Sequence, residues 1–300
     1  MGQTTLTPET RLTKTRTLVP LALSVAFATN AGAACLSDAQ AADLVANYLS
    51  RQPAANPEGL SDADGACTRA KVNALLAPRL GKVVGYKAGL TNPAVQKRFG
   101  TDKPVWGKLY EGMVLQSGAS VEAAFGARPL YEADMLVRVK SAAINQARTP
   151  LEVLEAIDQV IPFVELPDLM VQAPPKLNGA GVAAINVGAR LGVAGAPLPV
   201  PVLRAERYAL LDALRDMQVT LTDASGAALG GGKGSDILEH PLNAVVWLAQ
   251  ALAQEGLAMQ PGELISLGSF SPLLPPKPGL AVTATYDGLP GAQPVRLQFK

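Results

Sequence analysis

Four residues combine types and spacing that could run acid, base or metal chemistry: Lys87, Glu132, Asp134 and Glu165. Glu132 and Asp134 stand at i and i+2 in Leu130-Tyr131-Glu132-Ala133-Asp134-Met135-Leu136-Val137, a stretch that reads as a strand. In a strand such positions share a face, so the two carboxylates project side by side ahead of an apolar run. Burying either charge unpaired is costly and the two repel each other. A hard divalent cation with oxygen ligands relieves both problems. Glu165, in the equally apolar Ile161-Pro162-Phe163-Val164-Glu165-Leu166-Pro167, supplies a third carboxylate. Glu132, Asp134 and Glu165 are therefore read as ligands of one Mg²⁺ or Mn²⁺. Lys87 lies in Gly85-Tyr86-Lys87-Ala88-Gly89, a short strand running into a glycine-flanked loop where backbone can approach a ligand closely. It is either a ligand-facing cation or a solvated turn residue, and spacing alone does not separate the two.

Other chemistries find little support. His240 is the single histidine, so a zinc cluster or a histidine relay is unavailable, and its place before Pro241 suits the start of a helix. There is no Gly-x-Ser-x-Gly elbow. Gly179-Ala180-Gly181-Val182-Ala183-Ala184 matches a loose dinucleotide-binding pattern but follows Pro174-Pro175-Lys176 where a strand is required. Gly230-Gly231-Gly232-Lys233-Gly234-Ser235 resembles a phosphate loop, but Gly follows the lysine. It reads as a glycine turn, a hairpin tip that could face a ligand. A net charge of +1 without basic blocks, and 5% aromatics, argue against nucleic acid as a partner.

The elements that must position the four residues follow from periodicity. Residues 37–54 repeat Ala41, Leu44, Val45, Tyr48 and Leu49 at helical spacing behind Ser37; 53–65 is polar and loop-like; 68–80 is a second helix ending before Gly81. Beyond about residue 113 strands dominate, at 130–140, 160–166, 217–223, 263–268 and 280–286. Helices interrupt near 150–158 behind Thr149-Pro150 and at 241–255 with Pro241 at its first turn. The run 177–188 is small and flexible in composition and fits a close-packed segment near a site. With 48% hydrophobic and 17% charged residues, the 300-residue chain is globular and long enough for a sizeable core.

The chain begins with Arg11, Lys14 and Arg16, then an apolar run over 18–28, then Ala31-Gly32-Ala33. That order is the pattern of a secretory signal peptide over residues 1–33. The run is well below the ~20 residues that span a bilayer, and no later run reaches that length, so no membrane span is expected. An amphipathic N-terminal helix is the alternative, and Cys35 just past the site leaves lipoprotein anchoring as a second-ranked one. An exported, periplasmic destination is expected and would allow Cys35 and Cys67 to form a disulfide, worth about 3 kcal/mol on a chain-entropy account.

Gly85-Tyr86-Lys87-Ala88-Gly89-Leu90-Thr91 resembles the G-Y-K-x-G-L-T segment of the 2-keto-4-pentenoate hydratase and 4-oxalocrotonate decarboxylase family, within the fumarylacetoacetate hydrolase fold. Glu132-Ala133-Asp134 stands where that family has E-x-E, and Glu165, 31 residues after Asp134, where it has its third metal carboxylate. Ala184-Ile185-Asn186, His240-Pro241-Leu242-Asn243 with Trp247-Leu248-Ala249, and Pro261-Gly262-Glu263 leading to Gly268-Ser269 follow in order; the resemblance spans roughly 40–290. It implies an α+β fold: a small helical N-terminal region (34–112), then a mixed β-sheet roll or barrel domain (113–300). It implies a metal-dependent lyase acting on a small-molecule 2-keto acid or its enol, Lys87 assisting proton transfer, Asn186, Gly268 and Ser269 contacting substrate, and a homo-oligomer. The chain departs from the pattern at Val105, where D-x-P-D-(aromatic)-G has its second acid, at Asp134 for Glu, at Gly188 for Ser in N-x-S, and at Leu267 for Thr in T-G-S. These departures motivate the alternative of an exported 2-keto-acid binder without turnover.

Overall fold

Residues 1–5 and 35–300 are described by a computed structural model. The apolar run 18–28 and the small-residue site 31–33 lie outside the described residues. Ala33–Lys300 forms one compact unit. In chain order its elements are α1 (Asp38–Ser50), α2 (Asp62–Leu80), β1 (Val83–Gly89), α3 (Pro93–Arg98), β2 (Val105–Tyr110), β3 (Val114–Gln116), β4 (Ala119–Val121) and β5 (Glu132–Val139). Then come α4 (Pro150–Ala156), β6 (Ile157–Leu166), α5 (Gly179–Ala184), β7 (Leu191–Ala194), β8 (Leu198–Pro199), α6 (Arg204–Asp216), β9 (Gln218–Thr222), β10 (Ala228–Lys233), α7 (Asn243–Gln254), β11 (Leu264–Ser266), β12 (Ala281–Asp287) and β13 (Val295–Phe299).

Local chemistry explains the helix starts. Ser37 and Gln40 form a capping box on α1, Ser61 and Asp64 one on α2, and Thr149 and Glu152 one on α4. The Ser61 cap starts α2 six residues earlier than periodicity alone suggests. Cys35 and Cys67 are disulfide-bonded with Cα atoms 5.6 Å apart, tying the segment before α1 to α2.

The strands form two sheets. The larger runs β2-β1-β11-β5-β6-β7-β3, with β8 also on β6, and the smaller runs β10-β9-β12-β13-β4. β5 and β6 are central, which is why both read as apolar runs rather than alternating ones. The two faces of β5 feed two cores. Ala133, Met135 and Val137 pack with Val219, Leu221, Val282 and Leu297 of the smaller sheet. Leu136 packs on the opposite face with Phe163, Leu44, Val72 and Leu76, beneath α1 and α2. Fully burying a side chain such as Leu136 stabilises by about 2–3 kcal/mol. Tyr286 of β12 bridges the sheets, its hydroxyl 2.6 Å from the Asp134 carbonyl and accepting from the Phe163 N–H at 3.0 Å.

The structure revises several expectations. β1 is the short strand expected around Lys87, but β2 is not among the strands expected, and both lie within the stretch assigned to a helical N-terminal region and join the larger sheet. The region therefore donates part of the main sheet besides its helices. Residues 230–233 are not a turn but part of β10, paired antiparallel with β9. Glycine suits that strand because the Phe270 carbonyl lies where a Gly232 side chain would begin. The run 179–184 is a fully buried helix, and Gly65 of α2 is small so that Ala180 of α5 can press against it. Among the described residues no helix is long and apolar enough to cross a membrane.

Because the disulfide links positions 32 apart, replacing Cys35 and Cys67 with Ser should lower unfolding free energy by about 3–4 kcal/mol in urea melts. An unchanged midpoint would show that the bridge constrains nothing the fold lacks otherwise.

Candidate active site

Strand register brings the acids together. Glu132 of β5 is paired directly with Glu165 of β6, and Asp134 with Phe163 one step along the same face. Opposed side chains in such a pair have Cβ atoms ~5 Å apart, so two carboxylates there repel unless a cation intervenes. Lys87 reaches the same place from β1, whose neighbour β11 pairs it with Ser266. All four side chains are buried or nearly so, with Asp134 at 0% and Lys87 at 2% exposure. Lys87 is thus a buried cation and not a solvated turn residue.

Its ammonium is held by two acceptors, the Glu165 carboxylate and, at 3.0 Å, the Val187 carbonyl. The second is set by unusual backbone. Asn186, Val187 and Gly188 have φ values of 54°, 55° and 63°. A β-branched residue in that left-handed region is a genuine outlier, at a cost of order 1–3 kcal/mol. Buried hydrogen bonds hold the turn: Asn186 Oδ1 accepts from Lys108 N at 2.8 Å and from Asn73 Nδ2 at 3.0 Å, and Asn186 Nδ2 donates to Lys108 O at 3.0 Å.

A cavity of about 400 Å³ opens over Lys87, Glu132 and Glu165, with Thr91, Gly268 and Ser269 on its wall. Asp134 and Asn186 are not among its lining residues. Asn186 is committed to the turn. The Asp134 carboxylate is held by Ser266 Oγ at 2.6 Å, Gly268 N at 3.0 Å and the Met135 N–H. Gly268 can donate there because it adopts φ 103° and because any side chain would strike Thr91. Among the described residues no three His, Cys, Asp or Glu side chains form a ready-made metal cluster. Val105, at the family's acid position, also does not line the cavity, although it pairs with Gly89, which does. Sequence reasoning missed Ser266, Val187 and Tyr286. Of these only Val187 carried a hint, in the run of small residues around it.

Electrostatics show what the pocket lacks. Burial first, then the facing Glu165, pushes Glu132 well above the usual carboxylate range, with Lys87 only partly offsetting this. Burial and Glu165 push Asp134 up to about 8 against its hydrogen bonds to Ser266 and Met135. One ammonium does not balance this many buried carboxylates. Glu132 and Glu165, two facing hard-oxygen donors on one cavity wall, fit a divalent cation.

The chain is 29% identical to 2-keto-4-pentenoate hydratase of Burkholderia vietnamiensis strain G4 over 212 residues, 69% of this chain and 76% of that protein. To 4-oxalocrotonate decarboxylase of Pseudomonas sp. strain CF600 it is 30% identical over 208 residues, 69% of this chain and 75% of that one. The chain belongs to the 2-keto-4-pentenoate hydratase and 4-oxalocrotonate decarboxylase family. No family model matches it. A decarboxylase of this family from Pseudomonas putida G7, solved with magnesium and adipate, superposes with a TM-score of 0.74 at 26% identity, covering 88% of this chain and 97% of that one. The fumarylpyruvate hydrolase of Pseudomonas aeruginosa shares the fold at a TM-score of 0.52 and 12% identity, over 71% of this chain and 88% of that one. Membership in this hydratase and decarboxylase family makes the chain an enzyme of the lyase type, on a mixed α+β fumarylacetoacetate hydrolase fold.

The raised carboxyls make stability depend on pH with a definite sign. Groups whose folded pKa is raised bind protons that the unfolded chain has released, so their contribution is complete below about pH 4 and is lost as pH rises through the folded value. In chelator, melting temperature should fall between pH 5 and pH 8.5, the Asp134 share ending near 8. Asp134→Asn should flatten that slope. A wild-type melting temperature that rises across this window would contradict the assignment.

Proposed function

We propose that the protein is a metal-dependent lyase, hydratase or decarboxylase, acting on a 2-keto acid or its 2-hydroxydienoate enol. The observation that carries this is a buried lysine pinned between a carboxylate and a strained carbonyl, at the floor of a cavity it shares with two facing glutamates. Glu132 and Glu165 would hold Mg²⁺ or Mn²⁺. Asp134, a ligand by family analogy, stands behind them, its oxygens occupied by protein donors, and would have to leave them to take part. When bound, the cation supplies Lewis acidity at the C1 carboxylate and C2 oxygen of a 2-keto acid. Lys87 Nζ holds a proton at the cavity floor for transfer to or from the substrate carbon skeleton, and its two acceptors fix its direction. Gly268 and Ser269 shape the wall that orients the substrate, and the buried strand faces around the floor exclude bulk water from the reacting end.

A second reading, a 2-keto-acid binder without turnover, draws on Val105 and on Asp134, neither of which lines the cavity. Purified protein assayed with 2-hydroxypenta-2,4-dienoate and with 4-oxalocrotonate, plus Mg²⁺ or Mn²⁺, separates the two and decides between hydration and decarboxylation. We expect turnover with one of them, a drop of at least about 100-fold in Lys87→Met, within the range general acid–base catalysis contributes, and lost metal affinity in Glu132→Ala by calorimetry. Thermal stabilisation by substrate with no product would favour the binder, and unchanged metal affinity in Glu132→Ala would remove the glutamate site.

We also infer export to an oxidising compartment. The signal-like pattern over 1–33 and the Cys35–Cys67 bridge support export. Mass spectrometry of the protein recovered from its native compartment should show a mature N-terminus near Ala34 with both cysteines oxidised. A retained Met1 or free thiols there would refute export.

A further inference from the structure

Asn73 is an unexpected residue type for its place. The buried stripe of α2 runs through Thr68, Val72 and Leu76, and Asn73 lies on it at 4% exposure with a carboxamide to satisfy. Burying such a group is costly unless it is hydrogen-bonded. Here both ends are met. The amide nitrogen donates to the Arg69 carbonyl at 3.0 Å, one turn back, and to Asn186 Oδ1 at 3.0 Å. The amide oxygen accepts from the Tyr110 hydroxyl at 2.7 Å.

The direction of this chain of bonds is forced. The Lys108 N–H reaches Asn186 Oδ1, which makes that atom an acceptor. The atom of Asn73 that faces it must then be the NH2, and the oxygen is left for Tyr110, whose hydroxyl donates. Hydrogen bonds that run in one sense polarise one another. The chain leads to Lys87, because Asn186 opens the left-handed turn whose Val187 carbonyl accepts from Lys87 Nζ at 3.0 Å. Two glycines let the turn approach the sheet: a side chain on Gly107 of β2 would strike the Asn186 carbonyl, and one on Gly89 of β1 would strike Val187. The helix is held against β2 beside this point, with the Arg69 guanidinium 3.6 Å from the Trp106 ring centroid.

We propose that Asn73 is a positioning residue for Lys87, acting through Asn186 and the Val187 carbonyl, with Tyr110 fixing Asn73 in turn. Asn73 does not line the cavity, so it reaches the site only through that turn. A lysine ammonium carries three rotatable donors on a flexible stem, and its acceptors set its heading. Of the two acceptors here, Glu165 is the one a cation would draw on, which leaves the Val187 carbonyl to aim Nζ. This rests on the reading of Glu165 and Lys87 given above.

The test uses the full protein with Mg²⁺. Asn73→Leu keeps the bulk of the side chain and removes its polar ends. Val72→Ala, its neighbour in the core beneath α2, is the control for lost packing. Nitrogen-15 NMR of the lysine side chains reads the surroundings of Lys87 Nζ, its resonance being the one absent from Lys87→Met. Asn73→Leu should move that resonance and lower kcat about tenfold or more with KM and oxalate affinity unchanged, since misplacing a reacting group by about 1 Å costs up to ~100-fold. Val72→Ala should leave the resonance and kcat as in the wild type. Tyr110→Phe, which deletes one hydroxyl and keeps the ring, should move the resonance in the same sense, and it carries the test if Asn73→Leu does not fold. An unmoved Lys87 resonance in these two variants, or the same shift in Val72→Ala, would overturn the assignment. A resonance that moves in a protein with no turnover would support the positioning and instead overturn the reading of Lys87 as the proton carrier.

Discussion

Everything at this site follows from placing carboxylates on two paired central strands. Glu132 and Glu165 face each other because β5 and β6 are in that register, and a shift of one residue would send both to the opposite face. Burial there cannot be neutral. The protein meets it with one ammonium, with hydrogen bonds to Asp134, and with raised proton affinity in Glu132 and Asp134. A cation held by the two facing glutamates would answer the remaining imbalance.

The rest of the fold serves that register. Tyr286 crosses from the smaller sheet to bond the backbone of Asp134 and Phe163, which locks β5 against β6 where the acids stand. On the other face, the helices tied by Cys35–Cys67 cover the sheet and supply Asn73, which shares its amide with Asn186. That contact links a helix of the N-terminal region to the turn that aims the Val187 carbonyl at Lys87. The local strain in Val187 is thus sustained by surroundings that leave the turn no alternative.

The departures from the family pattern have physical consequences in the structure. Shortening Glu to Asp at position 134 leaves a carboxylate that Ser266 and Gly268 hold beneath the cavity wall. Val105 sits beside Gly89 without reaching the cavity. The glutamate pair is what would carry a metal, and the direction of Lys87 is carried by the turn.

Much of this was legible in the sequence. Glu132 and Asp134 at i and i+2 had to share a face because strand periodicity is two, and the central strands announced themselves as apolar runs. Ser37 and Thr149 marked helix starts through capping chemistry, and Cys35 and Cys67 suggested their own pairing. The glycines at 230–232 misled, because a glycine demanded by a neighbouring carbonyl looks the same in sequence as one demanded by a turn. Asn186 misled likewise, since an amide that binds backbone and one that binds substrate have the same letter. Residue types and local periods, determined by the sequence itself, established which groups could carry chemistry and which shared a face. Only the tertiary structure decided that Lys87 meets Glu165 and that Asp134 turns to Ser266. Those contacts join residues 78 and 132 positions apart, and no local period encodes which distant strands become neighbours.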